Sequence, residues 1–267
     1  MRSSASHRLQ IDNGELFARV EGAGYPVLFL HGWTLDSEMW ASTFHDLPRH
    51  YRLIATDRRG HGQSTLPADF SKETGDLELW LDHLHEEKVA LVGMSQGGRL
   101  ALRFASQNPD RVSALVLYGT SADGIVPPQG DDRIPLGYYT DLVQRGDLVA
   151  MQEAWLSHPL MHCDDQEVKV ACAKMVRRYR AEDLQRGIAK ISTTRCGHSG
   201  DLKMPVLIVT GSQEGPGIQF VADRLAQKIL GSRRSYLEGA GHLAPMTHPS
   251  AFNRMIDDFL QAAIESP

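Results

Sequence analysis

Apolar residues recur along this chain in two alternating patterns, and the alternation sets the architecture. Short continuous apolar runs at 25–30, 51–56, 88–92, 112–118 and 205–210 mark strands buried on both faces, with 234–237 a weaker last strand. Between them, 77–86, 97–106, 217–229 and 249–264 carry apolar residues at helical spacing. The opening segment, 7–20, instead alternates apolar and polar positions about the turn signal Asp12-Asn13-Gly14, which predicts a β-hairpin or two edge strands. Strand and helix in alternation predict an α/β fold, a mostly parallel sheet with helices on both faces.

The rhythm breaks once. About eighty residues separate the strand ending near Tyr118 from the one starting near Pro205, too many for one crossover helix. Segments 138–144, 148–157, 166–179 and 181–191 in this gap have apolar faces of helical period. Residues 122–199 are therefore read as a helical lid inserted into one core built from 1–121 and 200–267.

Composition narrows the picture mainly by exclusion. With 42% apolar and 23% charged residues, a chain of 267 residues can bury a sizeable core. A formal charge of -5 with no basic block argues against nucleic acid as a partner. No run of eighteen apolar residues could span a bilayer, and Arg2 and Arg8 flank no apolar signal segment, so a cytoplasmic location is expected. Cys163, Cys172 and Cys196 lack C-x-x-C spacing and read as reduced thiols.

The chemistry concentrates at the ends of predicted strands. Gly93-Met94-Ser95-Gln96-Gly97-Gly98 follows a buried strand and opens a helical pattern, the setting of a nucleophile elbow. The small flanking residues let strand and helix approach closely enough to hold Ser95 in a strained turn at a helix N-terminus. A serine hydroxyl needs a base. His242, in the Gly- and Pro-rich segment after the last strand, is the best placed of twelve histidines, because it falls at the same sheet edge as Ser95. A carboxylate should orient that imidazole. Glu214 lies just past the 205–210 strand and keeps the order Ser, acid, His; Asp123, just past the preceding strand, is the rival. His31-Gly32-Trp33 ends the first buried strand, where the backbone N–H groups of Trp33 and Gln96 could form an oxyanion hole.

These motifs in this order, His31-Gly32-Trp33, Trp40, Asp57-Arg58-Arg59-Gly60-His61-Gly62-Gln63-Ser64, Gly93-Met94-Ser95-Gln96-Gly97 and Gly241-His242, resemble the α/β-hydrolase family over nearly the whole chain. The resemblance implies an eight-stranded sheet with its second strand antiparallel, a helical lid over the active site, and neither cofactor nor metal. It also implies that 57–64, despite the tempting His61, is a structural turn. Most similar proteins carry Asp where this chain has Glu214, and Ser95 argues against haloalkane dehalogenase or epoxide hydrolase chemistry, which needs a carboxylate nucleophile.

The expected reaction is hydrolysis of a carboxylic ester of a small, largely apolar substrate through an acyl-enzyme, with Trp33, Tyr138, Tyr139 and Trp155 as candidate substrate-binding walls. Arg177, Arg178, Arg180 and Arg186 keep open an enol-lactonase or carbon–carbon bond hydrolase acting on a carboxylate-bearing compound. A third reading, from another class, is a ligand-sensing receptor built on the same fold. The expected partner is a small-molecule ester or lactone, with no nucleic acid and no membrane, and the chain is expected as a monomer or homodimer.

Overall fold

A computed structural model describes residues 4–47, 49–128, 130, 132–186 and 202–265. Eight strands form one sheet: β1 (Ser4–Ile11), β2 (Gly14–Glu21), β3 (Tyr25–Leu30), β4 (Tyr51–Asp57), β5 (Val89–Met94), β6 (Val112–Tyr118), β7 (Val206–Gly211) and β8 (Arg233–Leu237). Their spatial order is β1-β2-β4-β3-β5-β6-β7-β8. Strand β2 pairs antiparallel with both β1 and β4, and every pairing from β4 to β8 is parallel. The helices in chain order are α1 (Ala41–Asp46), α2 (Glu73–His83), α3 (Gln96–Gln107), α4 (Leu136–Gln144), α5 (Leu148–Leu156), α6 (Gln166–Arg178), α7 (Glu182–Gln185), α8 (Pro216–Lys228), α9 (Ala244–Thr247) and α10 (Pro249–Glu265).

Because strand side chains alternate, the continuous apolar runs feed two cores. On one face Leu28, Leu30, Leu91, Leu115, Leu117 and Ile208 pack against α2, α3 and α8. On the other, Val27, Phe29, Val92, Val116, Tyr118 and Val209 pack against α10. The same second cluster continues without a break through Tyr139, Met151, Trp155, Met175 and Val176 of α4 to α6. The segment between β6 and β7 therefore shares its hydrophobic core with the sheet. Its described helices match the expected ones except the last: α7 covers four residues, beginning after Ala181 at φ 55° and ending before Arg186, and positions 187–191 of the expected 181–191 helix lie outside the described residues, as does Cys196. Cys163 and Cys172 are buried free thiols.

Helix α2 also begins earlier than its apolar period predicts, at Glu73 instead of residue 77. Its first turn buries carboxylates in place of apolar groups. Glu73 accepts from Arg58 at 2.7 Å and Asp76 from Arg59 at 2.5 and 2.7 Å, so a charged pair occupies positions where hydrophobicity would have marked the helix. None of the described helices is long and apolar enough to cross a membrane.

Candidate active site

Ser95 stands between β5 and α3 with φ 55° and ψ -118°, a conformation that costs a non-glycine residue energy and persists only where the surroundings enforce it. The enforcement is visible. Its N–H donates to the Tyr118 carbonyl of β6 at 2.9 Å, and its carbonyl accepts from the Arg99 N–H at 3.1 Å and the Thr120 hydroxyl at 3.2 Å. A Cβ at Gly97 would lie 2.2 Å from the Leu30 carbonyl oxygen, so only glycine lets α3 start this close to β3.

Register then decides what surrounds the serine. Met94 pairs with Tyr118, which sets Ser95 beside Gly119, and Gly119 at φ 52° lies directly under the His242 imidazole: a Cβ there would be 3.0 Å from its ring and 2.6 Å from Glu214 Oε1. His242 and Glu214 are brought together, with Nδ1 3.1 and 3.0 Å from the two carboxylate oxygens and both side chains nearly inaccessible to water. This contact fixes the imidazole's orientation and puts the Nδ1 proton toward the carboxylate. Backbone bonds stitch the two loops together. Gln213 N–H donates to Ala240 at 2.9 Å, Ser212 N–H to Leu237 at 2.9 Å, and the Tyr118 hydroxyl to Gly241 at 2.5 Å. The rival acid, Asp123, is engaged elsewhere, in ion pairs with Arg99 and Arg103.

On the opposite side of Ser95, Gly32 packs so closely that a Cβ would lie 3.5 Å from the serine Cβ. His31 is fully buried, and its Nε2 accepts the Arg58 N–H at 2.9 Å, which leaves the proton on Nδ1 for the Gly32 carbonyl at 2.8 Å. Burial first, then the neighbouring His61 and Arg58, hold this imidazole well below its usual pKa, hence neutral. The bond anchors the Gly32–Trp33 peptide by its carbonyl, and in a trans peptide the Trp33 N–H points the other way. Among the described residues the backbone N–H groups of Trp33 and Gln96 have no acceptor. The Gln96 side chain is held by Arg58, whose Nη2 donates to its Oε1 at 2.7 Å.

Of the expected substrate-binding aromatics, Trp33, Tyr139 and Trp155 meet in one buried cluster: Trp33 lies 4.9 Å from Trp155 and 6.1 Å from Tyr139 between ring centres. Tyr138 meets the Tyr139 ring at 5.7 Å between ring centres and is 55% exposed. The arginines considered for carboxylate recognition are engaged in contacts of their own, apart from the exposed Arg177. Arg178 pairs with Asp36 and Glu38, Arg180 with Glu182 and the Ser64 and Leu66 carbonyls, and Arg186 with the Ala68 carbonyl. His61 is buried against the Tyr179 ring, with its pKa pushed down to about 3, mainly by burial and then by Arg58. That agrees with a structural turn over 57–64. Sequence reasoning missed Tyr179 and Asp183, which contact Trp33 across the fold, and Thr34, whose hydroxyl accepts from the Trp155 indole. No local pattern marks them, since their partners are more than a hundred residues away in the chain. Among the described residues no group of three or more His, Cys, Asp or Glu side chains is arranged to hold a metal ion.

A strained serine at a strand-to-helix turn beside a buried histidine–carboxylate pair, on an eight-stranded sheet of this order, defines a hydrolase fold. A family model described as the alpha/beta hydrolase fold matches residues 25–249, and the chain belongs to that family. Over 255 residues it is 30% identical to a Bacillus subtilis protein provisionally assigned as a 2-succinyl-6-hydroxy-2,4-cyclohexadiene-1-carboxylate synthase, covering 89% of this chain and 91% of the relative. It is 29% identical, over 90% of its length and 88% of the relative's, to the 2-hydroxy-6-oxononadienedioate/2-hydroxy-6-oxononatrienedioate hydrolase of Cupriavidus pinatubonensis. A thermophilic esterase from Thermogutta terrifontis superposes with a TM-score of 0.78 at 25% identity, over 98% of this chain and 99% of that one.

Proposed function

We propose that this chain is a serine hydrolase that cleaves the carboxylic ester of a small, largely apolar molecule, with Ser95 as nucleophile, His242 as general base and Glu214 as the acid that orients it. The observation carrying this reading is the buried His242–Glu214 pair packed over Gly119, one strand away from the strained Ser95. In the first half-reaction His242 Nε2 takes the Ser95 hydroxyl proton as Oγ adds to the ester carbonyl carbon. The carbonyl oxygen becomes an oxyanion that accepts from the Trp33 and Gln96 N–H groups, each worth about 3 kcal/mol to the transition state. Collapse breaks the bond to the alcohol, which leaves with the proton from His242. Water then repeats the sequence on the acyl-enzyme and releases the acid.

An ester is favoured over a carboxylate-bearing lactone or diketone because Arg178, Arg180 and Arg186 already hold partners in the protein, while Trp33, Tyr139 and Trp155 form a buried aromatic cluster next to the Gly32 turn. In this reading residues 122–199 act as a lid. Ser95→Ala is expected to abolish turnover of p-nitrophenyl acyl esters while leaving the far-ultraviolet circular dichroism and melting temperature unchanged; a variant that kept wild-type kcat would refute the assignment. If the carboxylate-bearing class were the true one, anionic enol-lactones would outcompete neutral esters of equal size in kcat/KM.

A further inference from the structure

The two expected oxyanion donors are supported in different ways. Gln96 N–H sits on the first turn of α3, a twelve-residue helix embedded in the core. Trp33 N–H belongs to a loop beyond the end of β3, and the next residue, Thr34, is held at φ 64°. A β-branched residue disfavours that region strongly, so left alone the loop would relax toward negative φ and rotate the peptides on either side of Thr34. His31 anchors the Gly32 carbonyl on one side of Trp33, and the side-chain contacts on Trp33 and Thr34 themselves come from the helical insertion. The Trp33 indole N–H is shared between the Tyr179 hydroxyl at 2.9 Å and Asp183 Oδ2 at 3.1 Å, and the Tyr179 hydroxyl donates in turn to Asp183 Oδ1. One carboxylate thus gathers both donors. Burial first, then the Asp183 charge, raise the Tyr179 pKa, which keeps its hydroxyl protonated as a donor. From the other side the Trp155 indole N–H donates to the Thr34 hydroxyl at 2.7 Å, and its ring meets Trp33 edge-on.

We infer that the insertion completes the oxyanion hole: Asp183 and Trp155 are positioning residues that hold the strained Trp33–Thr34 segment so that the Trp33 N–H faces the substrate oxyanion. This rests on the serine-hydrolase reading above. It assigns polar work to side chains that would otherwise count as cover over the pocket. Removing either should harm the tetrahedral state more than ground-state binding, because the oxyanion is fully formed only there.

The test uses the full chain, with active sites titrated by a fluorophosphonate. Asp183→Ala and Trp155→Phe are each expected to lower the titrated kcat on a p-nitrophenyl ester about tenfold, with KM within about twofold. Both should weaken a trifluoromethyl ketone inhibitor by a matching factor. That compound reports the hole directly: Ser95 Oγ adds to its carbonyl carbon, the hydroxyl proton passes to His242, and the negative charge rests on the former carbonyl oxygen. Trp33→Phe should reproduce Asp183→Ala, and the double variant should be no worse than either, as expected when both changes break one contact. Asp183→Asn, which keeps one oxygen acceptor, should recover part of the loss. A merely structural role would lower the number of titratable sites and leave the ketone's inhibition constant per site unchanged, and that result overturns the inference. If Asp183→Ala does not fold, Trp155→Phe, which keeps an aromatic ring and loses the indole N–H, decides alone. Should the wild type itself fail to titrate, the serine-hydrolase reading falls and the inference with it; if the wild type titrates and the variants keep its inhibition constant, only the inference falls.

Discussion

The two ends of the candidate site are built from different materials. At the His242–Glu214 end, main-chain hydrogen bonds between neighbouring loops and glycines that admit no Cβ fix the geometry. At the Trp33–Thr34 end, beyond the local His31 bond to the Gly32 carbonyl, the geometry hangs on side chains from residues 121 to 150 positions away in the chain. Backbone construction is rigid and local, and it fails only when volume or the reacting group itself is changed. Side-chain construction depends on how a distant segment docks, so single substitutions there change rate in smaller steps.

The largest effect should follow from removing a reacting group at the rigid end. His242→Ala is expected to lower kcat about a thousandfold or more, with Glu214→Gln less severe, while both proteins melt near the wild-type temperature. Steady-state kinetics with calorimetry checks this, and a His242→Ala enzyme within tenfold of wild type would remove the general base from the mechanism. Next comes volume. Gly97→Ala puts a methyl group 2.2 Å from the Leu30 carbonyl oxygen and should cost about 3 kcal/mol of stability in denaturant unfolding, with the elbow displaced and activity lost.

The turn beneath the side-chain end carries a smaller, pH-dependent effect. Folded His61 takes a proton only near pH 3 against a usual value of 6.5. Between those values the unfolded chain therefore binds more protons, and stability falls as pH drops below 6.5. The expected loss from this residue is about 2 kcal/mol by pH 5. Asp36, raised to about 6 by burial and then by Asp57, works in the opposite direction and regains stability as pH falls below 6. His61→Gln isolates the histidine: its stability curve should be flatter than wild type between pH 6.5 and 5, and an equally steep curve would mean that His61 titrates normally. The smallest effect belongs to Glu38→Ala. That side chain is 56% exposed where it meets Arg178, itself 38% exposed, so its loss should cost no more than about 1 kcal/mol and leave kcat unchanged.

The same contrast explains what could be read from the sequence. Ser95, Glu214 and His242 follow strand ends, and a parallel sheet gathers strand ends at one edge, so order and spacing were enough to bring them together. The choice between Glu214 and Asp123 was open in sequence because each follows a strand; in the structure Glu214 meets His242, while Arg99 and Arg103 on α3 face Asp123. The start of α2 was hidden because Glu73 and Asp76 are buried by pairing and not by hydrophobicity. Asp183 and Tyr179 were invisible for a related reason: in a charged, helical stretch they look like any solvated face, and only the docking of α6 and α7 against Trp33 gives them partners. The arginine run at 177–186 carried the same ambiguity, and Arg178, Arg180 and Arg186 prove to be contacts between the insertion and the core.

The most direct measurement is intact-mass spectrometry with peptide mapping after treatment with a fluorophosphonate, on wild type and Ser95→Ala in parallel. A working triad predicts one stoichiometric adduct on Ser95 in the wild type and none in the variant. An unlabelled, folded wild type, or an adduct on another residue that persists in Ser95→Ala, would contradict the assignment of Ser95 as nucleophile.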